Sequence, residues 1–172
     1  MSKKNSITSY LMPITALCIL LFFGYKGFVI KSVKFDDIIF LTKTVDGQQD
    51  NVVILPSNEL LWTKTYGNHV EASLCKITGQ FANHYFFGLY RLGSFPFGLR
   101  YFKNPKAVYK VDLKIIKKEG DSFPSVGTTN ETRIVIYEDR GTIGSNEFRI
   151  VSLSESEKKE LLRNLKIMVR EM

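Results

Sequence analysis

The side chains best suited to covalent chemistry in this chain are Cys75, His69 and His84. A thiol becomes a nucleophile when an imidazole within hydrogen-bond reach takes its proton. His69 and Cys75 are six residues apart, an even spacing that puts them on one face of a strand but separates them by about 20 Å when it is fully extended. His84 would have to approach across a hairpin. The plainer reading makes Cys75 a small buried hydrophobe and the histidines surface or turn residues, leaving a Cys75-dependent thiol enzyme as the weakest alternative. Two histidines and one such cysteine lack the paired spacing of zinc sites. The sequence has no phosphate-cradling glycine loop followed by Lys-Ser or Lys-Thr, and no Gly-x-Ser-x-Gly elbow. The adjacent carboxylates Asp36-Asp37 and Glu138-Asp139 would point to opposite faces of a strand. These residue types therefore predict neither an enzyme nor a metal or cofactor site.

Non-covalent chemistry has a better address. The 40 residues from Ala72 to Val111 contain no acid and hold 10 of the chain's 22 aromatic residues. Within them Lys76, Tyr90, Arg91, Phe95, Phe97, Arg100, Tyr101, Lys103 and Lys106 form the candidate interaction surface. Basic residues interleaved with aromatics suit stacking on single-stranded nucleic acid, contact with an anionic membrane, or a protein interface rich in Tyr, Phe and Arg. The competing reading puts alternate aromatics in the core and the cations on the outer face.

The location of the charge disfavours nucleic acid. The net charge is +7, yet from Phe35 onward 19 Lys or Arg stand against 17 Asp or Glu. The other five cations, Lys3, Lys4, Lys26, Lys31 and Lys34, flank the apolar run Ile7 to Phe23. That run, extended to Ile30, has the length of a membrane-spanning helix, with Tyr10 and Tyr25 as interfacial anchors. No small-x-small cleavage site follows Phe23, which argues against a removed signal peptide. The expectation is a single-pass integral protein of a bacterial inner membrane, with residues 1–34 as anchor and 35–172 as one globular domain. Its partners would be the lipid bilayer and a protein. The flanking lysines slightly favour a cytoplasmic domain, while an exported envelope accessory or immunity-type protein is the alternative. Cys18 and Cys75 form no disulfide framework.

The elements that must position these residues are mostly strands. Between Phe35 and Leu153 the apolar residues fall in short alternating runs, predicting strands at 38–45, 52–55, 60–65, 70–77, 85–92, 99–102, 108–116, 132–137 and 147–151. Asp46-Gly47 marks a hairpin turn, 119–130 a long loop and 139–146 a shorter one, so that 133–137 would pair with 148–151. Ser154 followed by Glu157 is a capping box, and Leu161, Leu162, Leu165, Met168, Val169 and Met172 share one helical stripe, to be laid on the sheet or across a barrel end. The fold class expected is α+β: a transmembrane helix, then an antiparallel sheet or small barrel capped by an amphipathic helix.

This layout resembles the pleckstrin-homology-like domains of small bacterial membrane proteins. The likeness rests on GQFANHYFFGLYRLGSFPFGLRYFKNPKAVYKVDL, from Gly79 to Leu113, and on FRIVSLSESEKKELLRNL near the end. It implies a small barrel-like fold and membrane association, with no shared enzymatic activity and no single ligand. The connection 117–130 is longer than the compact pattern. The function expected is that of a non-catalytic, membrane-anchored domain binding a protein partner or the membrane surface.

Overall fold

The computed structural model describes residues 13–21, 31–81, 89–91 and 99–172, with backbone alone at 31, 89–91 and 99. After a helical stretch over 13–21 (α1), the strands are β1 (Lys31–Ser32), β2 (Ile39–Val45), β3 (Gln48–Ile54), β4 (Glu59–Tyr66), β5 (His69–Phe81), β6 (Leu89–Arg91), β7 (Leu99–Tyr101), β8 (Ala107–Glu119), β9 (Thr129–Ile136), β10 (Arg140–Ile143) and β11 (Asn146–Val151). The helix α2 (Glu155–Glu171) follows.

Strands β2, β3, β4, β5, β8, β9, β10 and β11 pair antiparallel in that order, and β11 returns to β2. The result is a closed eight-stranded meander, a solution that leaves no main edge for another chain to pair with. Strands β6 and β7 form a separate two-stranded ribbon in the long connection between β5 and β8. The β5–β8 seam carries a register shift at Leu74/Cys75. At Gly79 in this seam, a Cβ would lie 2.2 Å from the Lys110 carbonyl oxygen, so only glycine permits the close approach.

Alternation decides what fills the barrel. Leu41, Val52, Ile54, Leu60, Ile77, Val111, Ile134 and Phe148 point inward and are almost wholly buried, with Val33 and Phe35 packed into the same core from the segment before β2. An eight-stranded barrel has an interior just wide enough for side chains to fill. Phe40, Val53, Leu61 and Leu74 alternate outward, form one cross-strand row and remain covered, because α2 lies over them. Leu161, Leu165, Met168 and Val169 supply the helix's side of that contact. The stripe thus seats on the outer wall of the barrel and does not cap an end. The capping box is present: Ser154 Oγ accepts from Glu157 N–H, and Glu157 Oε2 accepts from Ser154 N–H at 2.7 Å.

The structure corrects several expectations. Among the described residues no helix is long and apolar enough to cross a membrane. The expected transmembrane helix, and with it the single-pass architecture and the integral inner-membrane location, is therefore overturned among the described residues: an apolar run raises hydropathy without itself forming a helix able to span. The rest of that expected span, 7–12 and 22–30, lies outside the described residues. The α+β class gives way to a mainly β architecture. The anticipated loop at 139–146 contains β10, so β9 pairs with β10 and β10 with β11, not β9 with β11. Gly141 hid this strand; a Cβ there would lie 3.0 Å from a Leu41 methyl and 3.3 Å from an Ile136 methyl, a tight fit among core side chains. Asp46-Gly47 does form the two-residue β2–β3 turn, with φ of 51° and 80°.

Candidate functional site

All the short hairpin turns between β2 and β3, β4 and β5, and β10 and β11 lie at one end of the barrel, together with the loop over 120–128 joining β8 to β9. Here the inward-facing positions change character. Lys43, Asp50, Lys64 and Glu71 are successive cross-strand partners on β2, β3, β4 and β5, giving an alternating row of charge above the apolar interior. Direct opposition of unlike charges across strands is favourable. One turn of alternation deeper, Trp62 faces Phe148 at 5.6 Å between ring centroids in an edge-on contact.

Glu71 is buried and ties the 120–128 loop to the barrel. Its Oε1 accepts from Asp121 N–H at 3.2 Å, and its Oε2 accepts from Ser122 N–H at 3.0 Å. His69 Nε2 lies 3.4 Å from Oε1. The Ser122 hydroxyl and then these backbone donors and His69 outweigh desolvation and hold the Glu71 carboxyl at about 2. Gly120, at φ +87°, lets the chain pass over the carboxylate: a Cβ there would lie 2.4 Å from Glu71 Cγ.

The loop so held inserts Phe123 into the barrel mouth, where it is buried. Its ring meets Trp62 at 6.4 Å in an edge-on arrangement, and Lys64 Nζ lies 5.0 Å from the ring centroid, within cation–π range. Lys118 Nζ donates to the Phe123 carbonyl oxygen at 3.2 Å. The indole N–H of Trp62 is buried and has no hydrogen-bond partner among the described residues.

Of the residues of the weakest alternative, the thiol enzyme, Cys75 and His69 are not brought together. Cys75 is buried inside the barrel beside Ser73, 3.6 Å from its hydroxyl, and burial pushes the thiol pKa up, which opposes nucleophilic use. His69 is at the mouth with Glu71, and His84 lies outside the described residues.

The expected interaction surface divides. Lys76 is exposed on the outer face of β5. Tyr90 and Arg91 lie on β6, where Tyr90 is the register partner of Arg100 on β7, and Phe95 and Phe97 lie outside the described residues. Arg100 and Lys103 are exposed, Tyr101 is 66% exposed, and Lys106 pairs with Glu138 at 3.4 Å. Elsewhere, a cleft of about 570 Å³ bordered by Thr42, Arg140, Glu147 and Arg149 contains the Arg140–Glu147 ion pair at 3.2 Å.

Sequence reasoning missed Trp62, Lys64, Glu71, Lys118 and Phe123. Two signals were present: charges at Lys64 and Glu71 with inward parity on otherwise apolar strands, and a lone Phe123 within a polar loop. The chain matches no family model, no curated protein and no solved structure.

Proposed function

We propose that this chain is a non-catalytic binding domain in which the filled barrel is a scaffold and the β6–β7 ribbon engages an acidic surface on a protein partner. One observation carries the reading: Tyr101 is 66% exposed on a ribbon set apart from the barrel sheet, between exposed Arg100 and near exposed Lys103, within a segment devoid of acid. Tyr and Arg are the residue types that dominate interface energetics, and an aromatic left this exposed contributes nothing to the core. The surrounding cations favour an acidic partner and speed encounter with it. The resemblance to pleckstrin-homology-like domains belongs to the same proposal, since those domains use a small barrel as a binding scaffold and share no enzymatic activity.

A photo-crosslinking residue placed at Tyr101 in producing cells tests this. The expected result is a discrete protein adduct that is absent when the same residue replaces Val126, which is exposed on the 120–128 loop, and that is lost on Arg100→Glu with Lys103→Glu. Equal labelling at both positions overturns the reading, as does adduct formation indifferent to charge reversal. Sedimentation of the protein with vesicles of anionic lipid, in the absence of any protein adduct, assigns the ribbon to a membrane surface instead.

A further inference from the structure

Phe123 is held in the barrel mouth as a ligand would be. Its ring lies against Trp62 and beneath the Lys64 ammonium, and its carbonyl oxygen accepts from Lys118. We propose that the barrel mouth is a binding site for a small aromatic carboxylate, and that Phe123 occupies this site in the free protein as a displaceable plug.

The chemistry of the lining selects this class. The two acids of the inward-facing row already have partners within the chain: Asp50 accepts from Gln48 Nε2 at 2.6 Å, and Glu71 is taken up by the loop's N–H groups. Lys64 and Lys118 have no carboxylate within 4.0 Å among the described residues and are directed at Phe123. A ligand carboxylate in place of the Phe123 carbonyl would turn the Lys118 contact, already charge-assisted by the ammonium, into an ion pair between full opposite charges. An aromatic ring in place of the Phe123 ring would retain the Trp62 and Lys64 contacts. The buried Trp62 N–H adds a donor that the chain itself does not use. Because the interior of this eight-stranded barrel is filled by its own side chains, the ligand's room is that of the Phe123 ring at the mouth, between the aromatic Trp62 and the cations Lys64 and Lys118.

The plug competes with the ligand. Apparent affinity falls with the fraction of molecules whose mouth is open, so removing the Phe123 ring must tighten binding. The site belongs to the opposite end of the barrel from the β5–β8 connection that carries the ribbon, and the inference stands independently of the ribbon's role.

Trp62 is the chain's single tryptophan, so its fluorescence reports this mouth alone. The probe is 3-phenylpropanoate, which repeats the spacing from the Phe ring to its carbonyl, with 3-phenylpropanamide as the neutral control. In the full chain, Phe123→Ala is expected to bind the acid at least about tenfold more tightly than the unaltered protein, with a shift in Trp62 emission. Adding Lys118→Met is expected to reduce that affinity to the level of the amide. Where Phe123→Ala does not fold by circular dichroism, Phe123→Leu, which keeps apolar cover, is read against the unaltered protein in the same way. A folded plug variant whose Trp62 emission does not respond to the acid overturns the proposal. Equal binding of acid and amide also overturns it, since the mouth is then only a hydrophobic hole left by the missing ring.

Discussion

Glu71 on β5 accepts the backbone N–H of Ser122 at 3.0 Å, joining residues 51 apart in sequence through a buried carboxylate. This contact fixes the 120–128 loop, and through it Phe123, over the barrel mouth. It also makes the carboxylate's ionisation a property of the fold.

The first prediction concerns acid. The Glu71 carboxyl is held near 2 in the folded chain against 4.5 for a free side chain. A lowered folded-state pKa contributes stability that is fully present above 4.5 and is lost as pH falls through about 2. In Glu71→Gln that part of the acid limb should flatten, when urea unfolding is followed from neutral pH downward. At neutral pH the amide hydrogens of Asp121 and Ser122 should exchange faster in the variant. An unchanged acid limb together with unchanged exchange would show that the carboxylate does not latch the loop.

Two glycines of the same loop separate strain from collision. Gly120 and Gly127 both sit at positive φ, +87° and +90°, but only at Gly120 would a Cβ meet the Glu71 side chain; at Gly127 nothing lies within 4 Å. Gly127→Ala should destabilise by about 1 kcal/mol, the conformational term alone. Gly120→Ala should lose about 2 to 3 kcal/mol, because it must also displace an anchored carboxylate. Chemical denaturation of both variants measures the difference. Equal losses would mean that Glu71 moves aside freely.

Thiol reactivity follows from placement. Cys18 is exposed, whereas Cys75 is 6% exposed inside the barrel with its pKa raised by burial. In the native chain iodoacetamide should modify Cys18 readily and Cys75 more slowly by roughly a hundredfold or more, because attack on Cys75 must wait for opening of the barrel. Mass spectrometry of digests over a time course checks this. Rapid native labelling of Cys75 would require an access path that the packed interior lacks.

Much of the fold was legible where the interaction is local. The Asp46-Gly47 turn, the alternation along Val108 to Ile115, and the Ser154–Glu157 box followed by the Leu161, Leu165 and Met168 stripe each depend on residues a few positions apart. The strand β10 was not legible, because Gly141 and Thr142 carry little hydrophobic signal and its identity as a strand comes from partners on both sides. The candidate site was almost wholly hidden. An inward-facing Lys64 reads in sequence like any solvated lysine, and only its place in the row from Lys43 to Glu71 makes it part of a lining.

By itself, the sequence determined that this is a strand-rich chain ending in a capped amphipathic helix, with its basic and aromatic residues concentrated between Ala72 and Val111. Turn geometry, side-chain alternation and helix capping are set by neighbours along the chain, and composition needs no structure at all. Only the tertiary structure decided that β5 and β8 close a barrel with β11 and β2, that α2 lies on its wall, and that Glu71 anchors a loop carrying Phe123 to Trp62. Those outcomes depend on register between strands far apart in sequence, where a shift of one residue would turn every inward side chain outward.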